Sequence, residues 1–222
     1  METLIPVITI DGPSGTGKGT ICALLADNLG WHRLDSGALY RLLAQQVCET
    51  GIDLENDAAL AQEALQLKIS FEYDGRIFLN AHDVSHVVRT DSCGQLASKL
   101  GAKPAVREAL LQRQRDFRQF PGLVTDGRDM GTVVFPDAKL KFYLTASAEA
   151  RATRRYSQLK TQGICVSLAQ VVNELTARDE RDSSRAASPL KPAEQAIVID
   201  TTDMPVVEVF DRVVHETKLA LA

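Results

Sequence analysis

The chain has 222 residues, of which 45% are hydrophobic and 24% charged, a composition typical of a domain that buries its own core. Its net charge of −4 lacks the basic excess of a nucleic-acid-binding protein, and no apolar run approaches the ~18 residues of a membrane helix. The four cysteines are too scattered for a disulfide framework or a zinc site, and residues 1–10 do not resemble a signal peptide. With no heptad repeat either, we expect a monomeric cytoplasmic protein with reduced thiols that binds neither nucleic acid nor membrane.

Short apolar runs alternate with helical patterns along the chain. The runs of strand length cover residues 7–10, 31–34, 123–125, 140–144 and 196–199. The helical patterns cover residues 17–29, 39–48, 148–159, 168–182 and 206–219, and Ser167 with Gln170 forms a capping box before residues 168–182. Strands that alternate with helices predict an α/β fold with a parallel sheet covered on both faces.

One segment departs from this alternation. Residues 69–73 and 76–79 have the pattern of two strands, and Asp74-Gly75 between them is typical of a type I′ hairpin turn. A hairpin inside an α/β chain indicates an inserted lobe with a small antiparallel sheet.

The strongest motif directly follows the first predicted strand and opens the first predicted helix, the context of a phosphate-binding loop, or P-loop. Its glycines let the backbone wrap around phosphate oxygens, and its N–H groups and the helix N-terminus then face the anion. The lysine in it supplies a cation for the β- and γ-phosphates of ATP. The candidate ATP-binding residues are Gly12, Pro13, Ser14, Gly15, Thr16, Gly17, Lys18, Gly19 and Thr20.

The motif departs from the simple P-loop pattern at one position. That pattern has Ser or Thr directly after the lysine, where the hydroxyl binds Mg²⁺, but here Gly19 stands there and Thr20 follows. Thr20 is therefore a candidate metal ligand displaced by one residue, and whether it reaches the ion stays open.

Further charged segments follow the core strands. One runs from Asp35 to Arg41 and another from Asp126 to Gly131. The carboxyl ends of parallel strands meet at one edge of a sheet, where ligands bind, so we expect both segments near the P-loop. Farther along, Arg178, Arg181 and Arg185 have the spacing of one helical face. Crowded arginines repel one another unless anions lie between them, which favours a second phosphate besides those of the P-loop nucleotide. Part of the neutralisation could instead come from Asp179, Glu180 and Asp182 in the same segment.

These motifs together resemble those of bacterial cytidylate kinases, in the order of that family. They are G-P-S-G-T-G-K-G-T, D-S-G-A-L-Y-R, D-G-R-D-M-G-T-V-V-F-P-D-A and R-D-E-R-D-x-x-R, and the resemblance extends over residues 6–200. It implies a P-loop NTPase fold of three layers with a five-stranded parallel core sheet, a monophosphate-binding lobe and a short helical lid. The corresponding boundaries are residues 1–36, 100–150 and 186–222 for the core, 37–99 for the lobe, and 151–185 for the lid region with its flanking helices.

The resemblance also implies a reaction: transfer of a phosphoryl group from ATP, with Mg²⁺, to CMP or dCMP. The acceptor phosphate would be held by Ser36, Arg41, Arg128 and Arg178. The base would be read by Ser98, Arg107 and Asp129, because a carboxylate accepts from cytosine N4 whereas uracil presents an oxygen there. Asp182 would bind a ribose hydroxyl, and Tyr40 and Arg185 complete the CMP-binding set. Arg151, Arg154 and Arg155 resemble lid arginines, of which Arg154 and Arg155 would bind ATP.

Catalysis is expected from positioning and charge neutralisation, because the attacking phosphate is already an anion and needs no general base. The catalytic candidates are Lys18, Arg128, Arg178 and Asp126. Asp126, at the end of a core strand, would hold metal-bound waters, and a turn or helix-capping role for this carboxylate is the equal alternative. Two alternatives for the whole protein stay open: a kinase for another acceptor, such as AMP, UMP or a small metabolite, and a non-catalytic nucleotide switch.

Overall fold

The computed structural model describes residues 4–71, 76–161, 163–185 and 187–221. The chain divides into two compact units. The core unit consists of Met1–Leu34 and Asp116–Ala222, and the inserted unit is Asp35–Arg115. In the described part of the chain, no helix combines the length and apolar character needed to cross a membrane.

The core unit is built on a five-stranded sheet. Its strands are β1 (Val7–Asp11), β2 (His32–Asp35), β6 (Leu123–Gly127), β7 (Leu140–Thr145) and β8 (Ile197–Asp200), in the order β2-β6-β1-β7-β8. The pairs β1–β6, β1–β7 and β7–β8 are parallel. The predicted α/β fold with a parallel core sheet is therefore confirmed, and the central strand β1 leads directly into the P-loop.

Helices α1 (Lys18–Leu29) and α8 (Val206–Leu221) cover one face of this sheet. The apolar side chains of α1, such as Ile21 and Leu25, pack with Val213 of α8 against Ile10 and Phe142 of the strands. Burial of these side chains contributes about 1.5–3 kcal/mol each. The packing fixes the first turn of α1, and with it the lysine of the P-loop, relative to the carboxyl end of β1.

Two long helices form a second apolar cluster in the core unit. They are α6 (Ala148–Thr161) and α7 (Leu168–Ser184), which meet through Ala152, Leu159 and Val171. Ser167 begins α7 with the predicted capping box, since its hydroxyl accepts from Gln170 N and the Gln170 side chain accepts from Ser167 N.

The inserted unit holds four α-helices and a small sheet within its described residues. The helices are α2 (Ser36–Thr50), α3 (Asp57–Gln66), α4 (Asp91–Leu100) and α5 (Pro104–Arg115). The strands β3 (Ile69–Phe71), β4 (Ile77–Leu79) and β5 (His82–Asp83) pair antiparallel in that order. The predicted hairpin strands are present over residues 69–71 and 77–79, whereas residues 72–73 of the first predicted strand and the predicted turn Asp74-Gly75 lie outside the described residues. The third strand, β5, is an addition to the prediction.

Two helix boundaries differ from the sequence patterns. Helix α2 begins at Ser36 because Asp35 acts as its N-cap and accepts from Ala38 N at 3.1 Å. Helix α7 ends at Ser184, so the prediction that Arg185 shares a helical face with Arg178 is wrong. The chain turns back after the helix, where Leu190 N donates to the Asp182 carbonyl at 2.9 Å, and Arg185 has a non-helical backbone with ψ 133°.

Candidate active site

The P-loop leaves β1 through glycines in conformations that L side chains rarely adopt. Gly12 has φ +148°, and a Cβ there would overlap the carbonyl oxygen of Leu144. Gly15 has φ +82°, and a Cβ there would stand 3.0 Å from the Cβ of Arg151. The two glycines therefore let the loop lie directly against β7 and α6. Without side chains, they also let the backbone approach a ligand inside the loop closely.

Lys18 opens α1 and is buried at the P-loop. Its Nζ donates to the Pro13 carbonyl at 3.1 Å, and the Thr16 hydroxyl donates to the same oxygen at 3.1 Å. The ammonium group is thus held against the loop that the sequence assigns to phosphate. Burial also reduces the screening of its charge by water.

Asp126 lies beside the first turn of α1. A Cβ on Gly19 would stand 3.8 and 3.9 Å from the two carboxylate oxygens of Asp126, and the carboxylate is buried at the carboxyl end of β6. Thr20 is exposed. Among the described residues, no three side chains of the types His, Cys, Asp and Glu form a group that could hold a metal. A single buried carboxylate at a phosphate loop suits Mg²⁺, which proteins usually bind through one or two carboxylates together with substrate phosphates.

The turn after β6 carries Arg128 and Asp129. The Asp11 carboxylate accepts from Met130 N at 2.9 Å and from Gly131 N at 2.8 Å, which anchors this turn to the end of β1. Burial raises the pKa of Asp11 to about 6, although the two amide hydrogen bonds act in the opposite direction. The Asp129 side chain is also buried, at 3% exposure.

Arginines from two parts of the core unit converge on Asp182 of α7. Arg128 Nε donates to Asp182 Oδ2 at 2.8 Å, and Arg185 Nη2 donates to Asp182 Oδ1. Arg178, one turn earlier on α7, donates from Nη1 to the hydroxyl of P-loop Ser14 at 3.3 Å. Burial alone would raise the pKa of Asp182, but the charges of Arg128, Arg185 and Arg178 outweigh it and hold the pKa below 3.8. The structure thus brings these arginines together at the P-loop.

The three arginines of α6 have separate partners. Arg151 donates to the Ser14 carbonyl at 3.1 Å and pairs with Asp179 of α7. Arg154 donates to the Thr201 hydroxyl at 3.1 Å and to the Thr202 carbonyl at 3.2 Å, in the segment after β8. Arg155 donates to Gln158 at 2.8 Å on its own helix.

In the inserted unit, Arg41 of α2 is held by backbone carbonyls. Its Nη1 donates to Val88 O at 2.6 Å and to Thr90 O at 3.0 Å. Its guanidinium lies against Gly94 of α4, where a Cβ would stand 2.8 Å from Nη2. The glycine therefore leaves the space that the guanidinium occupies. Ser36, the first residue of α2, is buried.

The base-reading candidates of the inserted unit lie on two helices. Ser98 is buried on α4. Arg107 of α5 donates to Gly101 O at 3.1 Å and lies over the Tyr40 ring, with Cζ 5.8 Å from the ring centroid. Tyr40 and Arg107 are therefore neighbours within this unit.

The sequence patterns did not single out Asp11 or Gly94. Asp11 has a signal that could have found it, since a carboxylate at the end of a buried strand needs partners for its oxygens. Gly94 has a weaker one: glycine inside a helix costs about 1 kcal/mol against alanine and so needs a reason, such as close packing.

A parallel sheet whose central strand leads through a glycine-rich loop to a buried lysine, with arginines gathered at that loop, defines a P-loop phosphoryl-transfer protein. The sequence model of the family described as cytidylate kinase matches residues 8–219. The chain belongs to the cytidylate kinase family.

Similar proteins agree with this assignment. The cytidylate kinase of Pseudomonas fluorescens (strain Pf0-1) is 56% identical over 221 aligned positions, covering 97% of this chain and 96% of the relative. That of Aeromonas hydrophila subsp. hydrophila is 53% identical, covering 94% of this chain and 92% of the relative. The crystal structure of a gluconokinase from Sinorhizobium meliloti 1021 has a TM-score of 0.51 at 13% identity, covering 99% of this chain and 95% of that one. That last likeness concerns the fold alone.

Proposed function

We propose that this protein transfers the γ-phosphoryl group of ATP to CMP or dCMP and releases ADP with CDP or dCDP. The observation that carries the proposal is the convergence of Arg128, Arg178 and Asp182 at the P-loop, with Arg178 in contact with Ser14. A nucleotide switch needs cations for one set of phosphates, whereas phosphoryl transfer between two nucleotides brings two anions together. The cytidylate kinase relatives support the choice of CMP as the acceptor.

The donor nucleotide is assigned to the P-loop. The backbone N–H groups of residues 14–17 and the N-terminus of α1 would surround the β- and γ-phosphates, with Lys18 as the cation among them. Arg154 and Arg155 of α6 are proposed to bind ATP as well. The segment after β8 holds the Arg154 guanidinium through Thr201 and Thr202.

The acceptor nucleotide has its own set of candidate residues. Ser36, Arg41, Arg128 and Arg178 are proposed to hold its phosphate, since the guanidinium fork matches phosphate oxygens. Asp129, Ser98 and Arg107 are proposed to read the base. Asp182 would accept from a ribose hydroxyl with the lone pairs that its arginines leave, and Tyr40 and Arg185 complete the set.

The reaction needs no protein base, because the phosphate of CMP is an anion at neutral pH. Lys18, Arg128 and Arg178 hold the reacting groups in line and neutralise the charge that spreads over the transferred phosphoryl oxygens. The more firmly the protein holds these cations in advance, the less reorganisation is needed as that charge develops. Exclusion of water from this cluster would keep ATP from being hydrolysed.

A divalent cation, Mg²⁺, is the proposed cofactor. When bound with ATP it neutralises the β- and γ-phosphate charge. Asp126 would hold it through water, with Thr20 as a second candidate oxygen donor. We further propose that the protein acts as a monomer in the cytoplasm, in line with the sequence patterning.

The reaction is tested by offering Mg-ATP with CMP, dCMP, UMP and AMP separately and following ADP release with a coupled assay. Strong turnover with CMP and dCMP, and little with UMP or AMP, is the expected result. Turnover with a different monophosphate would keep the reaction class and reject the base reading. Turnover independent of any monophosphate would reject the proposal.

A further inference from the structure

Asp11 joins the strand that leads into the P-loop to the turn that carries Arg128 and Asp129. We propose that Asp11 is a positioning residue for CMP recognition, which it performs by fixing the backbone of that turn. The inference rests on the proposed function, because it takes Arg128 and Asp129 as acceptor-binding residues. Asp11 itself touches neither nucleotide in this proposal.

The contact is double and buried. Asp11 Oδ1 accepts from Met130 N at 2.9 Å and Oδ2 accepts from Gly131 N at 2.8 Å, and the side chain is 2% exposed. Both carboxylate oxygens are therefore used by two consecutive amides. An asparagine side chain has only one oxygen, so it would direct an NH₂ group at one of these N–H donors.

The turn depends on such an external acceptor. Residues Met130–Val134 form a short π-helix that begins directly after Asp129. Its hydrogen bonds include those from Val133 N and Val134 N back to the Asp129 carbonyl, at 2.9 and 3.2 Å, and from Phe135 N to the Met130 carbonyl, at 2.7 Å. The first amides of a helix have no acceptor within it, and burial makes such orphan donors costly. Asp11 supplies the two acceptors for these amides.

The position of the turn matters for chemistry because Arg128 and Asp129 lie directly before these amides. β1 and β6 align Asp11 with Gly127, so the backbone that enters the turn is fixed by the sheet. The Asp11 carboxylate then fixes the backbone that leaves it. Arg128 and Asp129 lie between two anchored points, and a displacement of about 1 Å at such a site can cost about a hundredfold in rate.

Gly131 offers a second way to move the same turn. A Cβ on Gly131 would stand 2.8 Å from the Thr9 hydroxyl oxygen and 3.2 Å from Lys141 Cδ. Thr9 is fully buried on β1 and cannot swing outward, whereas a lysine stem can. A Gly131→Ala variant would therefore push the turn away from β1 while leaving the Asp11 carboxylate in place.

The first test compares Asp11→Asn with the wild-type protein in the coupled assay. KM for CMP should rise about tenfold or more, and the preference for CMP over UMP should fall by a similar factor. KM for ATP should change by less than about threefold, because the main chain that enters the P-loop is unaltered. Thr125→Val is the matched control: its hydroxyl is buried on β6 without a hydrogen-bond partner among the described residues, so KM for CMP should stay unchanged.

The second test uses Gly131→Ala alone and together with Thr9→Ala. The single variant should raise KM for CMP as Asp11→Asn does. The double variant should recover at least part of the loss, because it removes the atom nearest to the new Cβ. A loss of folded protein alone lowers the maximal rate and leaves KM for CMP unchanged, so the change in KM and its rescue distinguish a displaced turn from lowered stability. The rescue remains measurable even if Asp11→Asn does not fold.

The outcomes separate the two proposals. A wild-type protein that does not phosphorylate CMP would reject the proposed function. A wild-type protein that phosphorylates CMP, with KM for CMP and CMP preference unchanged in both Asp11→Asn and Gly131→Ala, would reject the role of Asp11 alone. Equal losses for CMP and ATP in both variants would also reject it, since they would indicate a general disturbance of the sheet.

Discussion

Asp182 accepts a hydrogen bond from Arg128 Nε at 2.8 Å, although 54 positions separate the two residues in the sequence. The contact joins the turn after β6 to the last turns of α7. Asp182 is 1% exposed and Arg185 shares it, so a neutral side chain at this position would leave two mostly covered guanidinium groups without this carboxylate.

We expect Asp182→Asn to lower the free energy of unfolding by about 3–5 kcal/mol, the usual cost of removing one partner of a buried ion pair. Urea unfolding at neutral pH measures this loss. Asp137→Asn is the matched control, since Asp137 pairs with Arg118 at 2.7 Å but is 45% exposed, and its loss should cost less than about 1 kcal/mol. Similar losses in both variants would contradict the special role of the Asp182 cluster.

The raised pKa of Asp11 predicts a pH-dependent stability. The native protein takes up the Asp11 proton near pH 6, whereas the unfolded chain does so near 3.8. The contribution of Asp11 to the free energy of unfolding therefore falls as pH rises from about 4 to about 6, by about 3 kcal/mol in total. Asp182 acts in the opposite sense and outside this window, because its pKa lies below 3.8 and its contribution is lost only in stronger acid.

This prediction is checked by urea unfolding of wild-type protein and Asp11→Asn between pH 4 and pH 8. As the pH falls through 6, the free energy of unfolding of the wild-type protein should rise relative to that of Asp11→Asn. A difference that is the same at every pH would show that Asp11 titrates at an ordinary value.

Gly94→Ala should weaken CMP binding although alanine favours helices. The new Cβ would stand 2.8 Å from Arg41 Nη2 and would displace the guanidinium from its place on α4. We expect KM for CMP to rise about tenfold with KM for ATP unchanged. Ser92→Ala, at an exposed position on the same helix, serves as the control. A normal KM for CMP in Gly94→Ala would mean that Arg41 does not hold the acceptor phosphate.

Asp129→Ala should raise KM for CMP far more than KM for ATP. The carboxylate is proposed to accept from cytosine N4, and a site that loses such a pairing group can lose about 10⁴-fold in discrimination. Steady-state kinetics with CMP and UMP in parallel measure the effect. If KM rises equally for CMP and ATP, Asp129 does not read the base.

Asp126→Asn should raise the Mg²⁺ concentration needed for half-maximal activity by about tenfold, because a buried carboxylate at the P-loop attracts a divalent ion more strongly than an amide does. Thr20→Val tests the second candidate ligand in the same titration. A response in Thr20→Val alone would assign the metal to the hydroxyl. No response in either variant would remove both residues from the metal site.

The elements with local sequence signals were predictable. Glycine spacing located the P-loop, period and length located the core strands, and the Ser167 capping box marked the start of α7. The charged segments after the core strands gave the candidate residues, because parallel strands place such segments at one edge. Each of these patterns lies within a few consecutive residues.

The rest depends on contacts that no local pattern encodes. Asp11 meets Met130 across 119 positions, and the space at Gly94 is visible only once Arg41 lies against it. The two-residue strand β5 is too short for a periodic pattern, and the end of α7 before Arg185 is set by a backbone bond from Leu190. Long-range packing therefore decides which of the predicted residues are held in place.

Because Asp11 anchors the turn through backbone amides, we expect residues 11 and 131 to tolerate fewer substitutions than residue 130. The Asp11 carboxylate contacts only the backbone amides of residues 130 and 131. The Met130 side chain is therefore constrained by its burial and not by this contact. Leucine or isoleucine at residue 130 should serve nearly as well, whereas residue 11 tolerates no change of side-chain chemistry and residue 131 no added carbon. A saturation library selected for CMP phosphorylation should therefore return several apolar residues at position 130. It should return almost only aspartate at position 11 and glycine at position 131. The contact thus constrains the identity of residue 11, whereas at residue 130 it constrains only the conformation of the main chain.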